Sequence, residues 1–196
     1  MPALLRNFNV GDLVHGGAGA DPLLARILAT ANARGVMLSR AASGRRFEVG
    51  RVRLHVLFPS QDRRVAPSND QSLVLQLTLG RFSALLTGDV ERTAEAEIVE
   101  RYGRTLRSPL LKVAHHGSRT STTDALLREV RPRWAVISAG RHNPFGEPSR
   151  EVVLRLARGG ALPLLTMDHG AITLETDGER YVLRSFRNGV LDAGSL

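Results

Sequence analysis

SLVLQLTLGRFSALLTGD (residues 72–89) and LLKVAHHGS (residues 110–118) are the two stretches that decide the fold. In the first, Leu73, Leu75, Leu77 and Leu79 fall on one face, the chain turns around Gly80-Arg81, and a second apolar run stops at Thr87-Gly88-Asp89, which is the pattern of two joined strands. The second stretch is apolar until it stops at His115 and His116, ahead of Gly117 and Ser118. In open α/β sheets ligands gather in the loops beyond the carboxyl ends of strands. An aspartate and a histidine on neighbouring tips are suitable oxygen and nitrogen ligands for zinc or manganese. Asp89 also suits a turn or the N-cap of a following helix. The doubled histidine is harder to explain structurally, because burying both rings requires partners for four ring nitrogens.

Outward from these stretches, strand and helix patterns alternate. Residues 21–34 place Leu23, Leu24, Ile27, Leu28 and Ala31 at helical spacing behind an Asp21-Pro22 start signal. FEVGRVRLHVLFP (47–59) has period two and is expected to form one strand with a wet face. The segment 59–70 is rich in breakers, and 91–102 has Ala94, Ile98 and Val99 at helical spacing. LLKVA, TTDALLREV, RWAVISAG and PSREVVLRLARGG then alternate strand and helix, and LPLLT, AITLET and RYVLRSF suggest three closing strands. The expectation is an α/β layered architecture in one domain over 1–196, without internal repeats.

Composition restricts the chemistry. The 196 residues are 42% hydrophobic and contain no cysteine, which excludes disulfides and thiolate metal sites and leaves nitrogen and oxygen as ligands. The formal charge is +8, and Lys112 is the single lysine, so 26 of the 27 basic residues are arginine. That excess favours polyanions, since guanidinium pairs with phosphate in a bidentate geometry. A GC-rich genome, which spreads arginine through the whole chain, accounts for it equally well. No apolar run is long enough to span a membrane and the start has no export-signal pattern, so the chain as given is expected to be soluble.

The order NDQSLVLQL (69–77), LLTGD (85–89), LKVAHHGSRTST (111–122), VISAGRHNPFGEPS (136–149) and TMDHGAITLETDG (166–178) resembles the metallo-β-lactamase domain of the ComEC family, inner-membrane channels that take up single-stranded DNA in competent bacteria. The resemblance covers essentially the whole chain. It implies a metallo-β-lactamase fold, an αββα sandwich, here lacking part of the first αβ half. It also implies a phosphodiesterase or nuclease whose two metals activate a bridging water. Under it Asp89 is the carboxylate shared by both metals and a catalytic group, His116 is a metal ligand, and His115 is a catalytic neighbour that meets phosphate or orients water. Asn69, Asp70, Ser118, Arg119, Ser121, Asn143 and Glu147 are the implied substrate-binding residues.

The sequence departs from the family in two places. The family opens with a His- and Asp-rich ligand loop that is missing here, where the early histidines are the isolated His15 and His55. The resemblance therefore implies that the chain begins just beyond that loop, and that metal binding and activity are weak or absent. In NPFGEP, Glu147 stands where the family has histidine; His142 and His169 are nearby alternatives. The expected partners are single-stranded DNA or another phosphodiester, the membrane-channel portion of a ComEC-like protein, and a second copy docked through a bared apolar sheet. Arg119, Arg141 and Arg150 favour a long polyanion. A non-catalytic arginine-rich nucleic-acid or docking module and a hydrolase of small phosphodiesters or phosphocholine esters remain the alternatives.

Overall fold

Four strands whose carboxyl ends lie along one sheet edge position the candidate site. The computed structural model describes residues 2–16, 22–60 and 69–196. Asp21 of the helix-start signal and most of the breaker-rich stretch, with Arg63 and Arg64, lie outside the described residues.

The chain opens with helix α1 (Pro2–Asn7), strand β1 (Asp12–His15), helix α2 (Pro22–Ala33) and strand β2 (Met37–Arg40). β1 and β2 pair in parallel and share a small core of Leu5, Leu13, Ala31 and Val36. The amphipathic spacing in 21–34 forms α2 as expected, burying Ala31 and half-burying Ile27 and Leu28 against this core.

The large sheet has seven strands in chain order: β3 (Arg46–Val49), β4 (Val52–Phe58), β5 (Val74–Leu79), β6 (Phe82–Leu86), β7 (Leu110–Lys112), β8 (Trp134–Ile137) and β9 (Leu162–Leu165). The stretch expected to be one strand over 47–59 is a hairpin, with Val49 paired to Val52. Gly50 takes φ +59 at its turn, a conformation glycine adopts without penalty, and period two runs unbroken through both arms. The turn expected at Gly80-Arg81 is present, and Gly80 has φ +55.

From β3 to β6 the pairing is antiparallel, and from β6 to β9 it is parallel. The parallel steps cross over through α3 (Arg92–Tyr102), α4 (Asp124–Val130) and α5 (Arg150–Arg158). Right-handed crossovers advancing in one direction put all three helices on one face. That face holds the main core: Ala94 and Ile98 of α3, Leu126, Leu127 and Val130 of α4, and Val152 and Leu156 of α5 pack on Leu85, Leu111, Ala135 and Ile137 of the strands. Each fully buried leucine or isoleucine there contributes about 1.5–3 kcal/mol through burial.

The other face of β7–β9 is covered by a second sheet, β10 (Ile172–Thr176), β11 (Arg180–Ser185) and β12 (Gly189–Ser195), reached through the short helix α6 (Thr166–His169). The three expected closing strands are thus divided: LPLLT is β9, the edge of the large sheet, and the others join β12 in the small one. Trp134, Leu164, Tyr181 and Leu183 fill the seam. The outer face of the small sheet carries exposed Thr173, Glu175 and Arg184, so it is wet. The layers run helix, sheet, sheet, which is what an αββα sandwich lacking part of one αβ half requires. The apolar face expected to be bared is half-covered: Leu54, Leu75, Leu77, Leu79 and Leu86 are all of intermediate exposure.

The seam depends on Trp134, which is 1% exposed and stacks edge-on against Tyr181 at 4.8 Å. Its indole N–H donates to Asp192 Oδ2 at 3.0 Å, and the same carboxylate takes the Arg133 guanidinium at 2.8 Å. Trp134→Ala is expected to cost about 3–5 kcal/mol, the range for deleting a buried indole, and urea denaturation checks it.

Candidate active site

The parallel register aligns the ends of β6, β7 and β8, so the loops starting at Thr87, Val113 and Ser138 emerge together. Two glycines let these loops pack closely on their neighbours. At Gly88, φ is +57 and an added Cβ would lie 2.8 Å from Ser72 Cβ. At Gly117, φ is +87 and an added Cβ would lie 2.6 Å from Pro148 Cβ. The His115 N–H donates to the Gly88 carbonyl at 3.1 Å and joins the two tips.

His115 (φ 46) and His116 (φ 53) are both left-handed, so with Gly117 three consecutive residues occupy that region. For non-glycine residues this conformation costs roughly 1–2 kcal/mol each, and such strain collects at functional sites. Here it aims the two rings in different directions. His116 Nδ1 donates to the Ser138 carbonyl at 2.7 Å, which places a proton on Nδ1 and turns Nε2 outwards. Nε2 lies 3.7 Å from Asp89 Oδ1, and both side chains are about half exposed (49% and 47%). Asp89 does not cap the next helix: α3 has Glu91 at its N-cap, and the Asp89 N–H donates to Ser72 Oγ at 3.1 Å. Its carboxylate therefore faces His116.

His115 turns towards Glu91, with Nδ1 3.3 Å from Oε1, and not towards Asp89. That contact lies outside hydrogen-bond geometry, which leaves a buried ring nitrogen without a hydrogen-bond partner among the described residues. Lys112, which the motif search did not single out as a site residue, extends to the same place. Its ammonium donates to the Val113 carbonyl at 3.0 Å, and burial pushes its pKa below the usual lysine range, with the Asp89 carboxylate opposing the shift. The available signal was that it is the single lysine in an arginine-rich chain and stands inside LLKVAHHGS.

The expected substrate-binding residues fall into two groups. Asp70 is buried at 5% exposure and accepts the Glu91 N–H at 3.0 Å, while Asn69 donates to Glu91 Oε1 at 3.1 Å; both brace the floor of the site. Ser121 is fully buried and donates to the Ala114 and Ser118 carbonyls, so it holds the loop and does not meet substrate. Ser118 lies 3.2 Å from the Thr120 hydroxyl, and Arg119 is exposed. Asn143 and Glu147 line a cleft of about 460 Å³ beside His116, together with Ser138, Ala139 and the 81%-exposed Phe145. Asn143 Nδ2 donates to the Gly140 carbonyl at 2.8 Å, and its Oδ1 accepts the Glu147 N–H at 3.0 Å. Its amide therefore staples this loop. His142 is exposed in that loop, and His169 contacts Asn188 at 3.1 Å on the β11–β12 hairpin. His55 stacks edge-on against Tyr102 in the antiparallel half of the large sheet, far from the tips in the strand order.

Among the described residues no three His, Asp or Glu side chains converge on one cation-sized space. Asp89 and His116 suit two coordination positions of a zinc or manganese ion, whereas a catalytic zinc takes three protein ligands. Among the described residues the donor set therefore does not complete a metal centre.

The loops are held by Glu95, which is fully buried on α3 and accepts the N–H groups of Thr122 and Thr123. Burial raises its carboxyl above the usual glutamate range despite these bonds and the nearby Arg155. Because the folded-state pKa is the higher one, the folded chain takes up this proton before the unfolded chain as pH falls. The associated stability is complete below the unfolded pKa and is lost as pH rises through the folded one. Relative to Glu95→Gln, the wild type is expected to gain stability as pH falls towards the unfolded glutamate pKa, read from urea midpoints.

No protein-family model matches the chain. It is 32% identical to ComE operon protein 3 of Bacillus subtilis over 170 residues, which are 86% of this chain and 22% of that protein. It is 33% identical to competence protein ComA of Neisseria gonorrhoeae over 134 residues, 68% of this chain and 19% of that protein. A solved structure of a CmlA beta-hydroxylase variant aligns with TM-score 0.49 and 12% identity over 80% of this chain and 38% of that one. The chain thus spans about a fifth of the length of these two curated relatives. Among the described residues no helix is long and apolar enough to cross a membrane. By its similarity to these competence proteins, the chain belongs to the ComEC family, of which it represents one segment.

Proposed function

We propose that this chain is part of a metal-dependent phosphodiesterase or nuclease domain that acts on DNA during uptake, and that Asp89 and His116 are two of the ligands of its divalent-metal centre. The observation carrying this reading is the His116 ring, whose Nδ1–H is committed to the Ser138 carbonyl while Nε2 faces Asp89 Oδ1 at 3.7 Å. A backbone carbonyl behind a histidine that meets a carboxylate is the usual support for a ligating imidazole. Similarity to the competence protein ComA of Neisseria gonorrhoeae supports the DNA-uptake setting.

A bound metal would supply Lewis acidity and an activated water. The other roles belong to the chain's own groups. Asp89 and His116 hold one side of the centre. Lys112 places a positive charge beside Asp89, and the cleft past His116, bordered by Asn143 and Glu147, receives the phosphodiester. The remaining ligands must come from residues outside this set, so the reading includes weak metal affinity and negligible turnover for the chain by itself. The membrane-channel portion of a ComEC-like protein is the proposed partner, on the strength of the family resemblance.

Calorimetric titration with zinc or manganese is expected to show a weak site that Asp89→Ala and His116→Ala each eliminate, with single-stranded DNA left uncut. Robust metal-dependent cleavage abolished by Asp89→Ala would show that the centre is complete. Absence of any metal heat, with DNA binding indifferent to chelator, would favour a non-catalytic nucleic-acid module.

A further inference from the structure

A cleft of about 760 Å³ runs between α4 and α5, from their first turns at Asp124 and Glu151 to Arg131 and Gly160, which precede the starts of β8 and β9. The cleft floor includes Leu127 and Pro132, both buried, and four arginines line it: Arg128, Arg131, Arg155 and Arg158.

These arginines have two different roles. Arg155 is structural: it pairs with Glu151 at 2.6 Å and Asp124 at 3.8 Å, and donates to the Ser121 and Thr122 carbonyls. Both cleft carboxylates are therefore engaged by one guanidinium. Arg128 and Arg131 each commit only Nε to a backbone carbonyl, of Asp124 at 3.2 Å and of Arg128 at 3.0 Å. Among the described residues neither they nor Arg158 has a carboxylate within ion-pair distance. The Nε bonds steady two of the guanidiniums and leave their outer edges free, the arrangement that receives a phosphate.

We infer that this cleft, which shares no lining residue with the cleft beside His116, is a second binding site for the phosphodiester backbone of a single nucleic-acid strand. Several fixed guanidiniums along a trough suit a row of regularly spaced phosphates. A flat anionic bilayer fits less well, because the site is concave and its apolar residues are buried. The inference shares with the proposed function only the class of ligand and requires no hydrolysis.

The test is fluorescence anisotropy of a labelled oligothymidylate titrated with the chain in chelator, over a series of salt concentrations. The variant Arg128→Ala/Arg131→Ala/Arg158→Ala removes three exposed guanidiniums, and circular dichroism verifies its fold. Arg34→Ala/Arg51→Ala/Arg53→Ala removes the same charge elsewhere on the surface. The cleft variant is expected to bind at least about tenfold more weakly, with the slope of log K against log salt smaller in magnitude by about 2, from about 0.7 per single-strand phosphate contact. The control triple should shift affinity far less, and titration in chelator keeps the readout independent of metal at Asp89 and His116. Equal weakening by both triples, or none by the cleft triple, overturns the inference. So does loss of binding to phosphatidylglycerol vesicles in the cleft variant with oligonucleotide binding intact.

Discussion

A single buried carboxylate holds the loops of the candidate site in register. Glu95 belongs to the helix that follows Asp89, and it accepts backbone N–H groups from the loop that follows His116. Arg155 reaches the same loop from α5 and donates to the carbonyls on its other side, while Thr123 of that loop caps α4. All three crossover helices thus meet at residues 121–123. A buried charge is costly unless it is bonded, and removing either partner leaves the other uncompensated. The arrangement is therefore rigid by necessity, and rigidity lets a half-exposed aspartate and histidine hold a fixed separation.

The proposed metal-ligand pair depends on the strained turn at 115–117. Two left-handed histidines and a left-handed glycine reverse the chain so sharply that adjacent rings serve different purposes. His116 faces outwards to Asp89, backed by a backbone carbonyl, and His115 faces inwards to Glu91. An ordinary strand-to-helix turn would leave both rings in solvent. The cost in backbone strain is accepted where the side-chain directions matter, which is why this turn and not the larger arginine cleft is assigned the chemistry.

Much of this was legible in the sequence. The TGD and HHGS stops marked two strand ends that the structure places side by side, and both glycines have positive φ with no room for a Cβ. What was not legible depended on tertiary contacts. Asp70 and Ser121 are of substrate-binding types, yet both are buried and bonded to backbone, a distinction that residue identity does not carry. The apolar spacing of 91–102 does not mark Glu95 as buried. The hairpin at Gly50 was hidden because alternation of period two passes through its turn without a break.

The central claim is that Asp89 and the Nε2 of His116 form one half of a metal centre, and the ring of His116 reports on it directly. Long-range ¹H–¹⁵N NMR of the histidine side chains is the decisive measurement. The account predicts a neutral His116 protonated on Nδ1, whose Nε2 resonance shifts selectively when zinc is added and no longer does so in Asp89→Asn. A ring protonated on Nε2, or a zinc response confined to other histidines, would contradict it.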